Sequence, residues 1–436
     1  MSDQEEKKKP LSAMEGNEEV IRLPGGRRRE RVIYLDAKTG EELYAEGDTE
    51  AYEEGEEGID EELPDLDPVE DAEGEEDEEE ELDATPVSEA WASFGVHEDS
   101  AFSVKLRVAE DGKTIWMASG GGDDVAYLLE VGDGVQAPEN GSVFKFEGHT
   151  DSVANVSFSR DGKYLATAGL DAVIKVWNVS DGSLVYTLDG PSESIETVEW
   201  HPKGPVLLAG CGDGTAWMWD VSPKAGHALQ VFGGHADAVN VARFTPDGSK
   251  VVTAGEDGTL RIWGPKTGKS LAVVQGHGFH EAGVNCLQIH HDNTLALTGG
   301  QDNNACLVNI ATAKVKATLQ GHNDGIEDVA WVAHNPWAIT GSLDGRVGIW
   351  DLNTGQNRQF IENGTAGITS LQCVNDTIFT SDTAGYLRIW DVRSSQLIQT
   401  IRASSETLLA FDVLMSHRLV ATASDDALLK IYKINL

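Results

Sequence analysis

Three sets of side chains in this sequence combine a hydroxyl, an imidazole and a carboxylate, the groups of a nucleophilic hydrolase triad. In each set a Thr precedes an Asp by four residues, the Asp precedes a Trp by six, and a His lies upstream. The sets are His149, Thr167, Asp171 and Trp177; His235, Thr253, Asp257 and Trp263; and His322, Thr340, Asp344 and Trp350. A nucleophile that recurs three times at a regular interval is implausible, so the pattern favours a repeated structural role over catalysis.

Other candidate sites in the sequence are weaker. The stretch "GPKTGKS", Gly264 to Ser270, has three residues where a phosphate-binding loop needs four, so it is interpreted as a hairpin turn. The four cysteines, Cys211, Cys286, Cys306 and Cys373, are far apart and have no metal-ligand spacing. The sequence therefore predicts no catalytic residue, no metal site and no cofactor, and an enzyme is the least favoured function.

The triad-like residues belong to a repeat of about 43 residues, a period typical of propeller repeats. "GHTDSVANVSFSRDGKYLATAGLDAVIKVWNV" from Gly148 matches segments that start at Gly234 and Gly321. Each copy has short runs of alternating apolar residues separated by turns such as "DGK" and "EDG", which predict four strands per repeat. The third strands are centred on Tyr127, Lys175, Trp217, Arg261, Leu307, Gly348, Leu387 and Lys430. This pattern predicts an all-β WD40 β-propeller of eight blades.

Two units depart from the repeat pattern. The third has Asp213 and Trp219, but Pro191 stands in the His position and Ala209 in the Thr position. The fifth offers both His277 and His280 with Asp302, but Val308 replaces the Trp.

The ends of the chain are expected to close the ring. The last unit stops at Leu436 without a fourth strand, and "SEAWASF", Ser88 to Phe94, is predicted to supply it. Such pairing would remove an exposed sheet edge. The propeller is therefore assigned to residues 85–436, with a closing strand at about 88–94. Seven blades is the alternative if the first unit, with its insertion "VGDGVQAPENG", is incomplete.

The 436-residue chain has a formal net charge of -41, which is concentrated near its N-terminus. Between Glu41 and Ala90 there are 26 acidic residues and no Lys or Arg, so residues 1–84 are predicted to form a disordered acidic arm. This charge disfavours direct binding of nucleic acid or anionic membrane and favours a basic partner. No signal peptide or membrane-spanning stretch is recognised, and the dispersed cysteines are interpreted as reduced thiols of a protein of the cytoplasm, with the nucleus as a second compartment. The chain is expected to be a monomer.

The stretch "VEWHPKGPVLLAGCGDGTAWMWDV", Val198 to Val221, is more specific than the repeat pattern. Together with the acidic arm and the count of eight units, it resembles the angio-associated migratory cell protein family. That family includes the fungal WD-repeat chaperone of a large-subunit ribosomal protein, L-ten or universal L-sixteen. The resemblance implies that each His, Thr, Asp and Trp set is a buried hydrogen-bond chain. It also implies a ribosome biogenesis factor that binds the basic N-terminal segment of this client and delivers it to the maturing 60S subunit.

WD-repeat propellers usually bind peptides with the loops that hold the Gly-His pair and the structural Asp. Acids recur here just after the His position and just before the Asp. They are Asp151, Glu193, Glu196, Asp237, Glu256, Asp324, Glu327 and Asp425. Carboxylates from several blades would hold a Lys- and Arg-rich peptide by charge-assisted hydrogen bonds. A histone- or chromatin-binding propeller and a general interaction scaffold remain the alternatives.

Overall fold

The computed structural model describes residues 89–109, 111–131 and 143–435, together with the backbone of three strands nearer the N-terminus. Two compact units divide the chain at Met1–Glu78 and Glu79–Leu436. No helix among the described residues is long and apolar enough to cross a membrane.

The first unit contains an antiparallel sheet in the order β1-β2-β3. Its strands are β1 (Gly16–Arg22), β2 (Arg28–Leu35) and β3 (Glu42–Ala51). They fall in the segment 1–84, for which the sequence predicts a disordered arm. The remaining residues of that segment lie outside the described residues, and the prediction stays a prediction.

The described residues of the second unit form 32 strands, β4 to β35, in eight four-stranded sheets. Blade 1 has β5 (Ala101–Val108), β6 (Ile115–Gly121), β7 (Ala126–Val131) and β8 (Val143–Phe146). Blade 2 has β9 (Val153–Phe158), β10 (Tyr164–Gly169), β11 (Ile174–Asn178) and β12 (Leu184–Leu188). Blade 3 has β13 (Ile195–Trp200), β14 (Val206–Cys211), β15 (Thr215–Asp220) and β16 (His227–Gly233). Blade 4 has β17 (Val241–Phe244), β18 (Val251–Ala254), β19 (Leu260–Trp263) and β20 (Ser270–Val274).

The second half of the ring repeats the arrangement. Blade 5 has β21 (Val284–Ile289), β22 (Leu295–Gly300), β23 (Ala305–Asn309) and β24 (Lys314–Leu319). Blade 6 has β25 (Ile326–Trp331), β26 (Trp337–Ser342), β27 (Arg346–Asp351) and β28 (Gln356–Glu362). Blade 7 has β29 (Ile368–Val374), β30 (Thr377–Asp382), β31 (Tyr386–Asp391) and β32 (Leu397–Arg402). Blade 8 has β33 (Leu408–Leu414), β34 (Leu419–Ser424), β35 (Leu429–Lys433) and β4 (Ala92–Phe94).

The first strands of successive blades contact one another, and β33 contacts β5, so they form the innermost ring around a channel. All eight predicted third-strand centres lie in the third strand of a blade. The prediction of an eight-bladed, all-β propeller is thereby confirmed. The first unit, with its long insertion, is a complete four-stranded blade, so the alternative of seven blades is wrong.

Blade 8 takes its outermost strand from the start of the propeller. β4 pairs with β35, with Ser93 opposite Lys430, and the Trp91 N–H donates to the Ile431 carbonyl over 2.8 Å. Phe94 is 1% exposed and packs with residues of blades 8 and 1. This strand lies within the segment Ser88–Phe94 that the sequence assigns to the position, and three of those residues form it.

The core lies between adjacent blades. Between blades 1 and 2, for example, Leu128, Phe146, Leu165 and Trp177 are buried in one cluster. Each fully buried large apolar side chain stabilises the fold by about 1.5–3 kcal/mol, so every interface between blades contributes.

Carboxylates of neighbouring blades satisfy the backbone along the inner edge of the ring. The side chain of Asp412 accepts the Leu106 N–H over 2.8 Å. Glu199 and Asp328 accept backbone N–H groups of blades 4 and 7 over 2.6 and 2.9 Å. The first strand of each blade exposes an unpaired edge, and a buried N–H without a partner is costly. These carboxylates therefore connect adjacent blades inside the channel.

Candidate functional site

Two kinds of loop meet at one end of each blade: the segment before the first strand and the loop between the second and third strands. They lie at the same end because neighbouring strands are antiparallel. We call this end of the propeller the acidic face. The turns between first and second strands and between third and fourth strands lie at the other end, which we call the turn face.

The structure brings the predicted His, Thr, Asp and Trp side chains together in all three sets. In blade 2, His149 Nδ1 lies 3.0 Å from an Asp171 oxygen and its Nε2 lies 2.8 Å from Thr167 Oγ1. Trp177 Nε1 donates to the same Thr oxygen over 3.0 Å. In the set of His235, Thr253, Asp257 and Trp263, the His–Asp, His–Thr and Trp–Thr distances are 2.9, 2.7 and 2.8 Å. In the set of His322, Thr340, Asp344 and Trp350, the same three distances are 3.0, 2.7 and 2.9 Å.

Each set forms a hydrogen-bond chain with one polarity. The carboxylate can only accept, so His Nδ1 donates to Asp, and Nε2 is then free to accept from the Thr hydroxyl. Burial lowers the pKa of His149, His235 and His322, although the neighbouring carboxylates raise it in part. The three Thr residues are fully buried, so their hydroxyls have no access to a substrate. This geometry links two loops of the acidic face to the interior of the blade.

A glycine precedes each of these histidines. Gly148 and Gly321 have φ angles of 109° and 148°, in a region that residues with a Cβ atom rarely adopt. The recurring Gly-His pair is therefore a requirement of the backbone as well as of the hydrogen-bond chain.

Two further histidines occupy the same position. His280 lies 2.8 Å from both Asp302 and Thr298, without a Trp. Its spacing to Asp302 is 22 residues, the same as in the three predicted sets, and this spacing distinguishes it from His277. His97 bonds to Asp123 and Ser119, both over 2.9 Å. The sequence did not predict the His97 set, because four extra residues separate its His from its Asp.

The other three blades use different groups at the histidine position. In blade 8, Ser404 donates to Asp426 over 2.8 Å, and in blade 3 Ser192 donates to Asp213 beside Pro191. In blade 7, Asn363 Oδ1 accepts from the Thr380 hydroxyl over 2.7 Å. Among the described residues, no group of His, Cys, Asp and Glu could hold a metal ion.

All eight predicted peptide-binding acids lie in the loops of the acidic face or at the start of a first strand. The exposed ones are Asp151, Glu193, Asp237, Asp324 and Asp425, and the half-buried ones are Glu196, Glu256 and Glu327. The "GPKTGKS" segment lies elsewhere, since Gly264 to Lys269 form the turn between β19 and β20.

The exposed acids reveal a regular arrangement. In six of the eight blades an exposed acid lies two residues after the histidine position. We call these six residues the carboxylate ring: Asp99, Asp151, Glu193, Asp237, Asp324 and Glu406. The sequence did not predict Asp99 and Glu406, because their histidine positions, His97 and Ser404, were recognised only in the structure.

The carboxylates of this ring are held in place locally. The side chains of Asp99, Asp151, Asp237 and Asp324 each accept the N–H of the following residue, over 2.7 to 2.9 Å. Within the described part of the chain, no member of the ring has a Lys or Arg partner within salt-bridge distance.

Two of the three half-buried acids, Glu256 and Glu327, accept hydrogen bonds from amide side chains. Glu256 accepts from Asn240 over 2.9 Å and from Gln301 over 3.0 Å, and Glu327 accepts from Asn285 over 2.9 Å. Burial raises the pKa of Glu327, and the bond from Asn285 offsets this only in part. Asp425, in blade 8, accepts from Ser100 of the adjoining loop.

Several cations near this face already have partners. Arg346 donates to Asp344 over 2.7 Å, Lys430 donates to Asp426 over 3.1 Å, and Arg388 pairs with Asp382. Because these cations are engaged by the Asp residues of the loops, the carboxylate ring remains without compensating charge from them. The arrangement can bind several positive charges of an extended ligand at once.

Comparisons with known proteins agree with this architecture. The family model described as "WD domain, G-beta repeat" matches residues 140–178, 182–220, 226–264, 268–309 and 313–351. Angio-associated migratory cell protein from Canis lupus familiaris is 32% identical over 358 residues, which cover 78% of this chain and 79% of that protein. The Homo sapiens protein is 31% identical over the same coverage.

Solved structures share the fold at lower identity. Saccharomyces cerevisiae Sqt1 is 19% identical, with a TM-score of 0.73 over 80% of this chain and 99% of that one. Chaetomium thermophilum Sqt1 bound to the N-terminus of the ribosomal protein L10 is 18% identical, with a TM-score of 0.71 over 79% and 99%.

Proposed function

This chain belongs to the angio-associated migratory cell protein family, and from that premise we propose that it is a ribosome-assembly chaperone. In this proposal, its acidic face binds the basic N-terminal segment of a large-subunit ribosomal protein. The chain shields that segment in the cytoplasm and delivers it to the maturing 60S subunit.

The observation that carries the proposal is the carboxylate ring. Six exposed carboxylates from six blades lie without a Lys or Arg partner within the described residues. An extended peptide with several Lys and Arg residues can engage carboxylates of different blades simultaneously. Such charge-assisted hydrogen bonds are about twice as strong as neutral ones.

A propeller of the same fold supports the choice of client. Chaetomium thermophilum Sqt1 has been solved bound to the N-terminus of the ribosomal protein L10. Basic histone tails have similar chemistry, so the experiment must distinguish the two kinds of client.

Affinity purification of the full chain at low salt, followed by mass spectrometry, tests the client. We expect ribosomal protein L10 in clear excess over other ribosomal proteins. Recovery of histones with no enrichment of one ribosomal protein would contradict the proposal and favour a chromatin-binding propeller.

Charge reversal tests whether the acidic face binds the peptide. The double variant Asp237→Lys with Asp324→Lys changes two exposed members of the ring on blades 4 and 6. Each change removes an attraction and adds a repulsion, so binding of the L10 N-terminal peptide should weaken by about tenfold or more. Isothermal titration calorimetry measures this.

The matched control is Glu89→Lys with Glu130→Lys, which makes the same change in net charge away from the acidic face. This control should bind the peptide like the unaltered protein. Equal weakening of both variants, each folded by circular dichroism, would show that net charge rather than the ring determines binding.

A further inference from the structure

Three adjoining cavities open on the turn face, opposite the acidic face. Their volumes are about 660, 530 and 330 Å³, and they follow the ring from blade 1 to blade 5. The first two share Lys163 and Tyr164, and the second and third share Arg160 and Pro202. We call the continuous depression that they form the basic groove.

The groove is rich in cations for so acidic a chain. Its lining includes five Lys or Arg residues, namely Arg107, Arg160, Lys163, Lys203 and Arg243. Arg160, Lys163 and Lys203 are exposed and lie in the turns between first and second strands of blades 2 and 3. His201 lies beside them in the third cavity.

One nitrogen of a half-buried arginine in the groove is buried without a hydrogen-bond partner. Arg243 Nε, at the inner end of the groove, has no acceptor among the residues that the structure describes. Burying a polar group without a partner is costly, so an acceptor supplied by a ligand of this arginine would be favourable.

The acids that line the groove are occupied by the protein itself. Asp111 accepts two backbone N–H groups and the Thr114 hydroxyl, over 2.8 and 2.9 Å. Asp161 accepts the Ser159 hydroxyl over 2.7 Å, and it also lies 3.8 Å from Lys163 Nζ in an exposed ion pair of the weak, solvent-screened kind. Glu199 accepts the Phe244 N–H over 2.6 Å. Burial raises the pKa of Glu199, and the nearby charge of Arg243 lowers it in part.

The groove suits carboxylates better than a nucleic acid. Its aromatic side chains, such as Trp116, Tyr164 and Trp200, are buried or half-buried, so none of the lining rings that the structure describes is fully exposed for stacking of bases. Binding of single strands relies on such stacking platforms.

We propose that the basic groove binds an extended acidic peptide of a partner protein, and that it is a second interaction surface independent of the acidic face. The exposed Arg160, Lys163 and Lys203 would pair with successive Asp or Glu side chains, and Arg243 would pair with one that reaches the inner end.

The experiment measures fluorescence anisotropy of a labelled peptide of ten glutamates with the full chain at low salt. We expect saturable binding that the double variant Arg160→Glu with Lys203→Glu weakens about tenfold or more. The control Lys269→Glu with Lys314→Glu makes the same charge change at exposed positions near the turn face and outside the groove, and should leave binding unchanged.

Three results would overturn the proposal. One is the absence of saturable binding to the unaltered protein. Another is equal weakening by the groove variant and its control, which would indicate a nonspecific effect of charge. The third is tighter binding of a ten-residue oligouridylate than of the peptide with the same sensitivity to the groove variant, which would identify an RNA site. The groove variant should still bind the basic L10 peptide, so this result and that of the proposed function are separable.

Discussion

At the scale of residues, the hydrogen-bond chains of the blades explain why groups that resemble a hydrolase triad recur in several blades. In blade 4 the order of donation runs from Trp263 through Thr253 and His235 to Asp257. Asp257 also accepts the Ala236 N–H over 3.0 Å, so it connects the two loops of the acidic face. Each buried polar group of this chain therefore relies on the next residue as its hydrogen-bond partner.

Removal of a member of this chain should destabilise the propeller. His235→Ala removes the acceptor of the Thr253 hydroxyl and one donor to the Asp257 carboxylate. Asp257→Ala removes the carboxylate that accepts from His235 Nδ1 and from the Ala236 N–H. We expect each to lower the free energy of unfolding by about 1–3 kcal/mol. Chemical denaturation monitored by circular dichroism measures this loss. Full stability together with loss of a hydrolytic activity would contradict the structural role.

The same histidines predict a dependence of stability on pH. Burial lowers the pKa of His97, His149, His235 and His322 below the usual 6.5. The folded protein therefore binds fewer protons than the unfolded chain just below pH 6.5. Stability from this source is complete above that pH and falls as the solution becomes more acidic, by up to about 1.4 kcal/mol per pH unit for each histidine.

Thermal unfolding between pH 7.5 and pH 5 tests this expectation, since the melting temperature should fall across the range. In the variant His235→Gln the free energy of unfolding should depend less steeply on pH, because up to one proton fewer is taken up on unfolding. An unchanged pH dependence in this variant would show that His235 does not titrate with unfolding.

The sequence predicts residues that repeat and misses residues that pair across blades. The constant offsets of Thr, Asp and Trp identified three hydrogen-bond sets, and the spacing of 22 residues contains the signal for His280. Asp412 satisfies the N–H of Leu106, which is 306 positions away in the chain. Only the closure of the ring brings such residues together, so no local pattern could indicate that contact.

At the scale of elements, the period of the repeat was sufficient to predict all eight blades, because each third strand has its own alternating pattern. The strand that closes the ring has no such pattern. β4 has three residues, of which Ala92 and Phe94 are buried and Ser93 is exposed. The sequence indicated its place only because the last unit lacked a fourth strand.

Two truncations test the role of this strand. The chain without residues 1–84 should remain a folded propeller, because that segment is too charged to join an apolar core. Deletion through Phe94 removes β4 and a side chain that is 1% exposed. Burial of that ring alone contributes about 1.5–3 kcal/mol, so the longer deletion should lower the melting temperature. Equal melting temperatures of the two truncations would contradict a stabilising role of the strand.

At the scale of the whole molecule, charge is distributed by face as well as by segment. The carboxylate ring lies on the acidic face, whereas Arg160, Lys163 and Lys203 line the basic groove on the turn face. The acids of the turn face mostly accept hydrogen bonds within their own turns, as Asp111 and Asp161 do. A propeller of this kind can bind partners of opposite charge at its two ends.

The acidic N-terminal segment adds a field that should affect the rate of binding more than the stability of the complex. Residues 41–90 contain 26 acids and no Lys or Arg. Complementary charge accelerates the encounter of partners, whereas close contacts determine how slowly they separate.

The chain without residues 1–84 should therefore bind the L10 N-terminal peptide about tenfold more slowly at low salt, with little change in the dissociation rate. Stopped-flow fluorescence measures both rates. At about 1 M NaCl, where the screening length is about 3 Å, the two chains should associate at the same rate. Equal association rates at low salt would mean that the segment does not attract the peptide, and would leave solubility as its role.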